Sequence, residues 1–130
     1  MAHIRKELTV AAPVGKVWDA FRDLGNVHTR LAPGFVVGCT LEGEARVVTF
    51  ANGLVAKELI VDLDDAARRL AYSARSERLA HHNASFEVLE AGPNATRILW
   101  RADVLPHEAA KVVGPMMDEG CRAMKRALEE

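Results

Sequence analysis

From Phe35 to Leu105 apolar and polar residues alternate with a period of two, and this run constrains the fold more than any other feature of the chain. The segments are Phe35–Leu41, Ala45–Phe50, Leu54–Leu63, Leu70–Arg75, His82–Leu89 and Arg97–Leu105. Successive side chains of a strand point to opposite faces, so period two predicts half-buried strands. Turn residues separate the segments. Glu42-Gly43-Glu44 makes a tight turn. Asn52-Gly53 predicts a two-residue hairpin loop, because a type I′ turn needs positive φ at both central residues. Asp64-Asp65-Ala66-Ala67 and Gly92-Pro93-Asn94 are further turns, and Ser76 to Ala80 is a looser connection. Connections this short force antiparallel neighbours, hence a meander.

Helical periods flank this region. His3 to Ala11 alternates as a first strand with Ile4, Leu8 and Val10 on one side, although Lys6 falls on the same parity. Pro13 suits the first turn of a helix, where its missing N–H costs nothing. Val14, Val17, Trp18, Phe21 and Leu24 follow at helical spacing, and Gly25-Asn26 ends that helix. Val27 to Leu31 predicts a second short helix, closed by Pro33-Gly34. His107 to Glu130 predicts one long helix, with Ala109, Val112, Val113, Met116, Met117, Gly120, Met124 and Ala127 forming an apolar stripe. Pro115 cannot donate to the carbonyl of Lys111, at a cost of about 3 kcal/mol. The expectation is a lid in two parts, hinged near Pro115, with Met116, Met117, Gly120 and Met124 on the sheet side. Methionine lines adaptable apolar surfaces, and glycine lets something approach the backbone.

Together these elements predict an α+β fold: seven antiparallel strands, two short helices between the first and second, and one long C-terminal helix. An antiparallel sheet with one apolar face needs a cover, and the last helix is the only element large enough to supply it. A sheet of seven strands twists and curls. Curled around one helix, it leaves a cavity between them.

Composition excludes several classes of function. The 130 residues suffice for one domain with a real core, and a net charge of −1 with interspersed acids and bases offers no field for nucleic acid. The two cysteines, Cys39 and Cys121, lie far apart without CxxC or CxxH spacing, so free buried thiols are expected. No stretch is long and apolar enough to span a membrane, and the N-terminus has no apolar core of a signal peptide. A cytoplasmic protein without metal or other cofactor is the expectation.

The order of elements resembles the helix-grip fold of the START/SRPBCC superfamily, which includes polyketide cyclase/dehydrase-like proteins, pathogenesis-related allergen-type proteins and plant hormone receptors. The stretch "APVGKVWDAFRDLGNVH" resembles that family's first-strand exit and first helix, with Trp18 as its Trp. "RLAPGFV" resembles the second helix and the start of the second strand. "VAKELIVDLDDAARRLAYSA" resembles the long hairpin arm, with Asp64-Asp65 as its turn and Tyr72 as the following aromatic. "HHNASFEV" and "RILWRADVLP" resemble the last two strands. The resemblance covers essentially the whole chain, read as a single helix-grip domain over residues 1–130. It implies binding of a small, mostly hydrophobic molecule between sheet and helix. Some relatives catalyse cyclisation or dehydration, some carry ligands and some sense them.

On the receptor pattern Glu58 points into the cavity; the alternative is a cross-strand pair with a Lys or Arg on the outer face. A half-buried carboxylate there could act as acid or base. Tyr72 has an aromatic body and a polar tip, suited to a cavity wall or to an ordinary core. If Ala84, Phe86 and Val88 face inward, so does His82, which could then donate to a ligand or move a proton. Successive residues His81 and His82 cannot jointly bind a metal. Arg30 could meet an anionic group at the cavity mouth, or be simply solvated. In the last strand periodicity turns Trp100 inward, whereas ungapped matching to the receptor pattern turns Leu99 and Arg101 inward. Ser85, His82 and Asp103 do not make a triad, because no G-x-S-x-G elbow exposes the serine.

Three readings follow. The first is a binding protein for a small hydrophobic ligand, with Glu58, Tyr72 and His82 as orienting groups and Phe86, Trp100, Met116, Met117, Gly120 and Met124 as wall. The second is a cyclase/dehydrase-type lyase or isomerase with His82 or Glu58 as general base. The third is a module that docks a partner or a second copy of itself. The first two require a cavity of several hundred cubic ångströms; the third requires a filled core.

Overall fold

Each alternating segment folds as a strand, and the two flanking helical segments pack on one face of the resulting sheet. The computed structural model describes residues 1–77 and 79–130. Strand β1 is Ala2–Val10 and helix α1 is Val14–Arg22. Then come β2 (Val36–Glu42), β3 (Ala45–Phe50), β4 (Val55–Asp64), β5 (Arg69–Arg75), β6 (His81–Gly92) and β7 (Ala95–Leu105). A single 3-10 turn at His107–Ala109 leads into helix α2, Ala110–Leu128. Of the Ser76–Ala80 connection, Arg78 lies outside the described residues; Ser76 and Leu79 form a lone bridge.

All neighbours are antiparallel, in the order β1-β7-β6-β5-β4-β3-β2. Strands β1 and β2, adjacent in sequence, therefore occupy opposite edges. The chain from Val10 to Val36 must cross one face of the sheet, and it carries α1 with it. Register shifts at Val36/Gly38, Ile60/Asp62 and Glu90/Gly92 add local twist, which curls the sheet toward that face. This is the helix-grip fold.

Pro13 precedes α1 in an extended conformation, and Val14, Val17, Trp18, Ala20 and Phe21 are buried beneath it. Trp18 Nε1 donates to Asp65 Oδ1 at 2.8 Å, and Arg22 pairs with the same carboxylate at 2.8 Å. The Asp64-Asp65 turn thus tethers α1 to the β4–β5 hairpin. Val27–Leu31 is a single wide turn rather than a regular short helix: the amide of Ala32 reaches the carbonyl of Val27 at 2.8 Å, five residues back.

Helix α2 crosses the same face and is anchored from its middle to its C-terminal end. Lys6 meets Asp118 at 2.9 Å, Lys125 donates to the carbonyl of Thr9 at 3.0 Å, and the amide of Ala11 donates to Glu129 at 2.8 Å. The first of these explains why a lysine sits on the apolar parity of β1. Helix α2 is unbroken through Pro115, contrary to the expected hinge. Lys111 and Pro115 are both exposed, so the unpaired carbonyl of Lys111 lies on the side where water can satisfy it. The buried stripe is also shifted from the expected one. Val112 is 53% exposed, while Ala123 and Leu128 are buried beside Met117, Gly120 and Met124.

The Asn52-Gly53 hairpin differs from expectation by one residue. Gly53 has positive φ and Asn52 does not. The amide of Gly53 bonds to the carbonyl of Phe50 at 2.9 Å and the amide of Phe50 to that of Leu54 at 2.8 Å. The loop is therefore Ala51-Asn52-Gly53, a tight turn followed by a left-handed glycine. A two-residue loop would have set Glu58 opposite Val47. The three-residue loop sets it opposite Arg46.

Candidate functional site

Between α2 and the curled sheet lies a cavity of about 800 Å³. Glu58, Tyr72, His82, Phe86 and Trp100 line it from the strands, and Met116, Met117, Gly120 and Met124 line it from α2. Arg30 is a correction. It lies off the cavity, because Asp23 in the preceding turn holds its guanidinium at 2.9 Å in an exposed ion pair. His28 also lies off the lining, and its Nδ1 is buried without a hydrogen-bond partner among the described residues.

Among the polar lining residues that sequence reasoning missed, Arg46 is the buried one, whereas Lys57, Arg75, Ser76, Glu77 and Glu108 are exposed. Arg46 Nε donates to Glu58 Oε1 at 2.8 Å, and Nη1 reaches the carbonyl of Leu24 at 3.4 Å. Arg46 is 3% exposed and Glu58 8%. Glu58 is thus both alternatives at once: it points into the cavity and makes a cross-strand pair, on the inner face rather than the outer. The available signal was parity, since Arg46 alternates in register with Val48 and Phe50. Reading it needed the correct hairpin register.

Register places the polar groups in rows across the concave face. Arg46 pairs with Glu58, and Glu58 with Ala74. His82 lies on β6 opposite Val104, two strands from Glu58 and so about 10 Å away. Small Ala74 stands between them on the cavity floor. Tyr72 is in the next row, and its ring lies 6.3 Å from that of His82.

Periodicity, not ungapped matching, orients β7. Ile98, Trp100, Ala102 and Val104 face inward and are buried, whereas Arg101 pairs on the other face with Glu87 at 3.7 Å. Trp100 stacks on Phe86 with ring centroids 4.6 Å apart, and Phe86 stacks on Tyr72 at 6.0 Å. Behind Trp100 is Gly120. A Cβ there would come within 2.9 Å of the indole and 3.1 Å of Phe35. Gly120→Ala gains about 1 kcal/mol of helix propensity but meets about 1–3 kcal/mol of overpacking, because Phe86 and Tyr72 prevent the indole from yielding. The expected net result is a loss of up to about 2 kcal/mol in urea unfolding.

Burial pushes the Tyr72 hydroxyl far above the ordinary phenol range, and the nearby Glu58 carboxylate adds to this. Burial likewise pushes the Cys121 thiol up to about 11 and raises Cys39. Neither cysteine offers a thiolate nucleophile at neutral pH. Burial pushes the His82 imidazole below its ordinary value of 6.5, with His81 contributing in the same direction, so the ring is neutral at pH 7. As pH falls through 6.5 the unfolded chain takes up this proton before the folded one does. The folded state therefore keeps its full margin above 6.5 and loses part of it below. His82→Gln is expected to flatten that part of the acid decline in Tm, measured by thermal melts on either side of pH 6.5.

Among the described residues no three His, Cys, Asp or Glu side chains gather as a metal cluster, and no helix is long and apolar enough to cross a membrane. The arrangement is an apolar chamber with a buried ion pair, a protonated phenol and a neutral imidazole on its floor.

Solved structures share this architecture. A START superfamily protein from Mycobacterium smegmatis superposes with a TM-score of 0.82 at 14% identity, covering 98% of this chain and 97% of its own. A protein from Thermobifida fusca is 28% identical with a TM-score of 0.77, covering 100% of this chain and 92% of its own. The Zhui aromatase/cyclase of a Streptomyces species is 18% identical with a TM-score of 0.70, covering 98% and 90%. No curated protein matches the chain. In sequence, residues 1–129 match the family described as polyketide cyclase / dehydrase and lipid transport. A curled seven-stranded sheet, a gripped C-terminal helix and a match from end to end agree: the chain belongs to the polyketide cyclase/dehydrase and lipid transport family.

Proposed function

We propose that this chain binds a small, mostly hydrophobic molecule in the cavity between the sheet and α2, oriented by Arg46, Glu58, Tyr72 and His82. The observation that carries this reading is a mostly apolar cavity of about 800 Å³ with Arg46, Glu58 and Tyr72 buried in its wall, while Lys57, Arg75, Ser76, Glu77 and Glu108 are exposed lining residues. Binding sites for small molecules have this character, with many apolar contacts and a few convergent polar ones. A filled core would instead have favoured a module without a ligand. The domain is taken as one unit over residues 1–130, and the partner is the ligand rather than nucleic acid.

Native mass spectrometry of protein purified from its own host tests the proposal. A co-purified adduct of small mass, lost on denaturation and lost in a folded Ala74→Phe variant that fills the floor, is the expected result. An adduct retained by that variant places the ligand elsewhere and overturns the reading.

A second reading is supported by His82, whose neutral ring lines the cavity without a hydrogen bond to another described residue. Such an imidazole could serve as general base in a cyclase/dehydrase-type reaction, with Glu58 as the other candidate. The two readings separate by mutation. In an enzyme, Glu58→Gln or His82→Ala abolishes turnover while ligand affinity stays close to its original value. In a binding protein the same changes reduce affinity, and no turnover is seen.

A further inference from the structure

Trp100 Nε1 and the Tyr72 hydroxyl oxygen lie 3.1 Å apart in the buried floor of the cavity. An indole nitrogen can only donate, so the direction of this bond is fixed. It uses one lone pair of the phenol oxygen. The hydroxyl keeps its own proton, because burial and the Glu58 carboxylate both oppose ionisation. That proton has no acceptor among the described residues, since the bond from Trp100 is the one hydrogen bond Tyr72 Oη makes with them.

We infer that Trp100 sets Tyr72 as a donor facing the cavity, and that the ligand carries a neutral hydrogen-bond acceptor, a carbonyl oxygen, against it. This rests on the cavity being a ligand site. A hydroxyl on the ligand is a less complete match, because it can accept the same proton but its own proton then needs a second acceptor. A carboxylate is also a poorer match. Glu58 lies near enough to Tyr72 to oppose its ionisation, and the same field repels a second anion. The charge of Arg46 is already spent on Glu58 at 2.8 Å. Tyr72 is then a specificity-determining residue, and Trp100 a positioning residue that acts through it. The Phe86–Trp100 stack holds the indole in place for this role.

Two probes of nearly equal shape test the inference: 2-acetonaphthone, which has a carbonyl, and 2-isopropylnaphthalene, which does not. Wild-type protein is expected to bind the ketone about fivefold more tightly, the effect of one net hydrogen bond. The infrared carbonyl band of the bound ketone is expected at lower wavenumber than in an apolar solvent. Tyr72→Phe is expected to bring the affinity ratio to about one and to return the band to its apolar position. Trp100→Phe, which retains an aromatic ring but no N–H, is expected to reduce the ratio and broaden the band as the hydroxyl gains freedom to turn. A purely structural role for Trp100 would leave ratio and band unchanged. Equal affinity for the two probes in wild-type protein, or a preference that survives Tyr72→Phe, overturns the inference while leaving the cavity reading intact. Binding of neither probe overturns both. If a variant does not fold, the wild-type band alone decides, and an unshifted band counts against the inference.

Discussion

Arg46→Met is expected to lower the unfolding free energy by about 3 kcal/mol or more in urea titrations at neutral pH. The variant leaves Glu58, 8% exposed, without its partner at 2.8 Å. Breaking a buried ion pair from one side costs about 3–5 kcal/mol, because a charge is left in a medium that solvates it poorly. The bond to the carbonyl of Leu24 is lost as well, which loosens the wide turn that follows α1. Water entering the cavity offsets some of this, so the lower end of the range is the better expectation. The double variant Arg46→Met, Glu58→Leu should recover most of the loss, since replacing both charges removes the desolvation penalty together with the attraction. A single variant within about 1 kcal/mol of wild type would show that Glu58 is solvated rather than buried.

Phe21→Ala is expected to cost about 3–5 kcal/mol, the range for removing a fully buried aromatic ring. Phe21 is 0% exposed, and its ring lies 4.9 Å from that of Phe86. Phe86 in turn stacks on Trp100 and lines the cavity. The void would therefore open behind the cavity wall and leave Phe86 unsupported. The midpoint of urea unfolding should fall with little change in slope, because the surface exposed on unfolding is nearly the same. A loss below about 1 kcal/mol would mean that α1 collapses into the space.

Much of this architecture is legible in the chain because it follows from local rules. Period two from Phe35 to Leu105 gives the six consecutive strands, since a half-buried strand must alternate. Parity also orients β7, where four apolar residues on one side outweigh a pattern borrowed from relatives. Spacing alone picks out Met117, Gly120 and Met124 on α2, because 3.6 residues per turn bring them to one face.

The errors share a cause. Asn52-Gly53 signals a turn correctly, but whether its loop has two residues or three depends on how the strands settle against their neighbours. One residue of register reverses which side chains share a face. That choice hid the partner of Glu58. Arg30 is at the right place in sequence for a cavity mouth, yet Asp23 holds it elsewhere, a contact that no periodicity encodes. Pro115 breaks a local rule without breaking the helix, because its missing bond falls on the solvent side. Lys6 looks misplaced on β1 until Asp118, more than a hundred residues later, is brought beside it at 2.9 Å.

Periodicity and turn chemistry act over a few residues, and they settle which segments are strands, which are helices and which faces are apolar. The meeting of Arg46 with Glu58, of Trp100 with Tyr72 and of Gly120 with the indole depends on register and on the crossing of α2 over the sheet. Those arise from packing between segments far apart in the chain, where steric fit and the cost of leaving a buried charge unpaired select one arrangement among several that the local pattern allows.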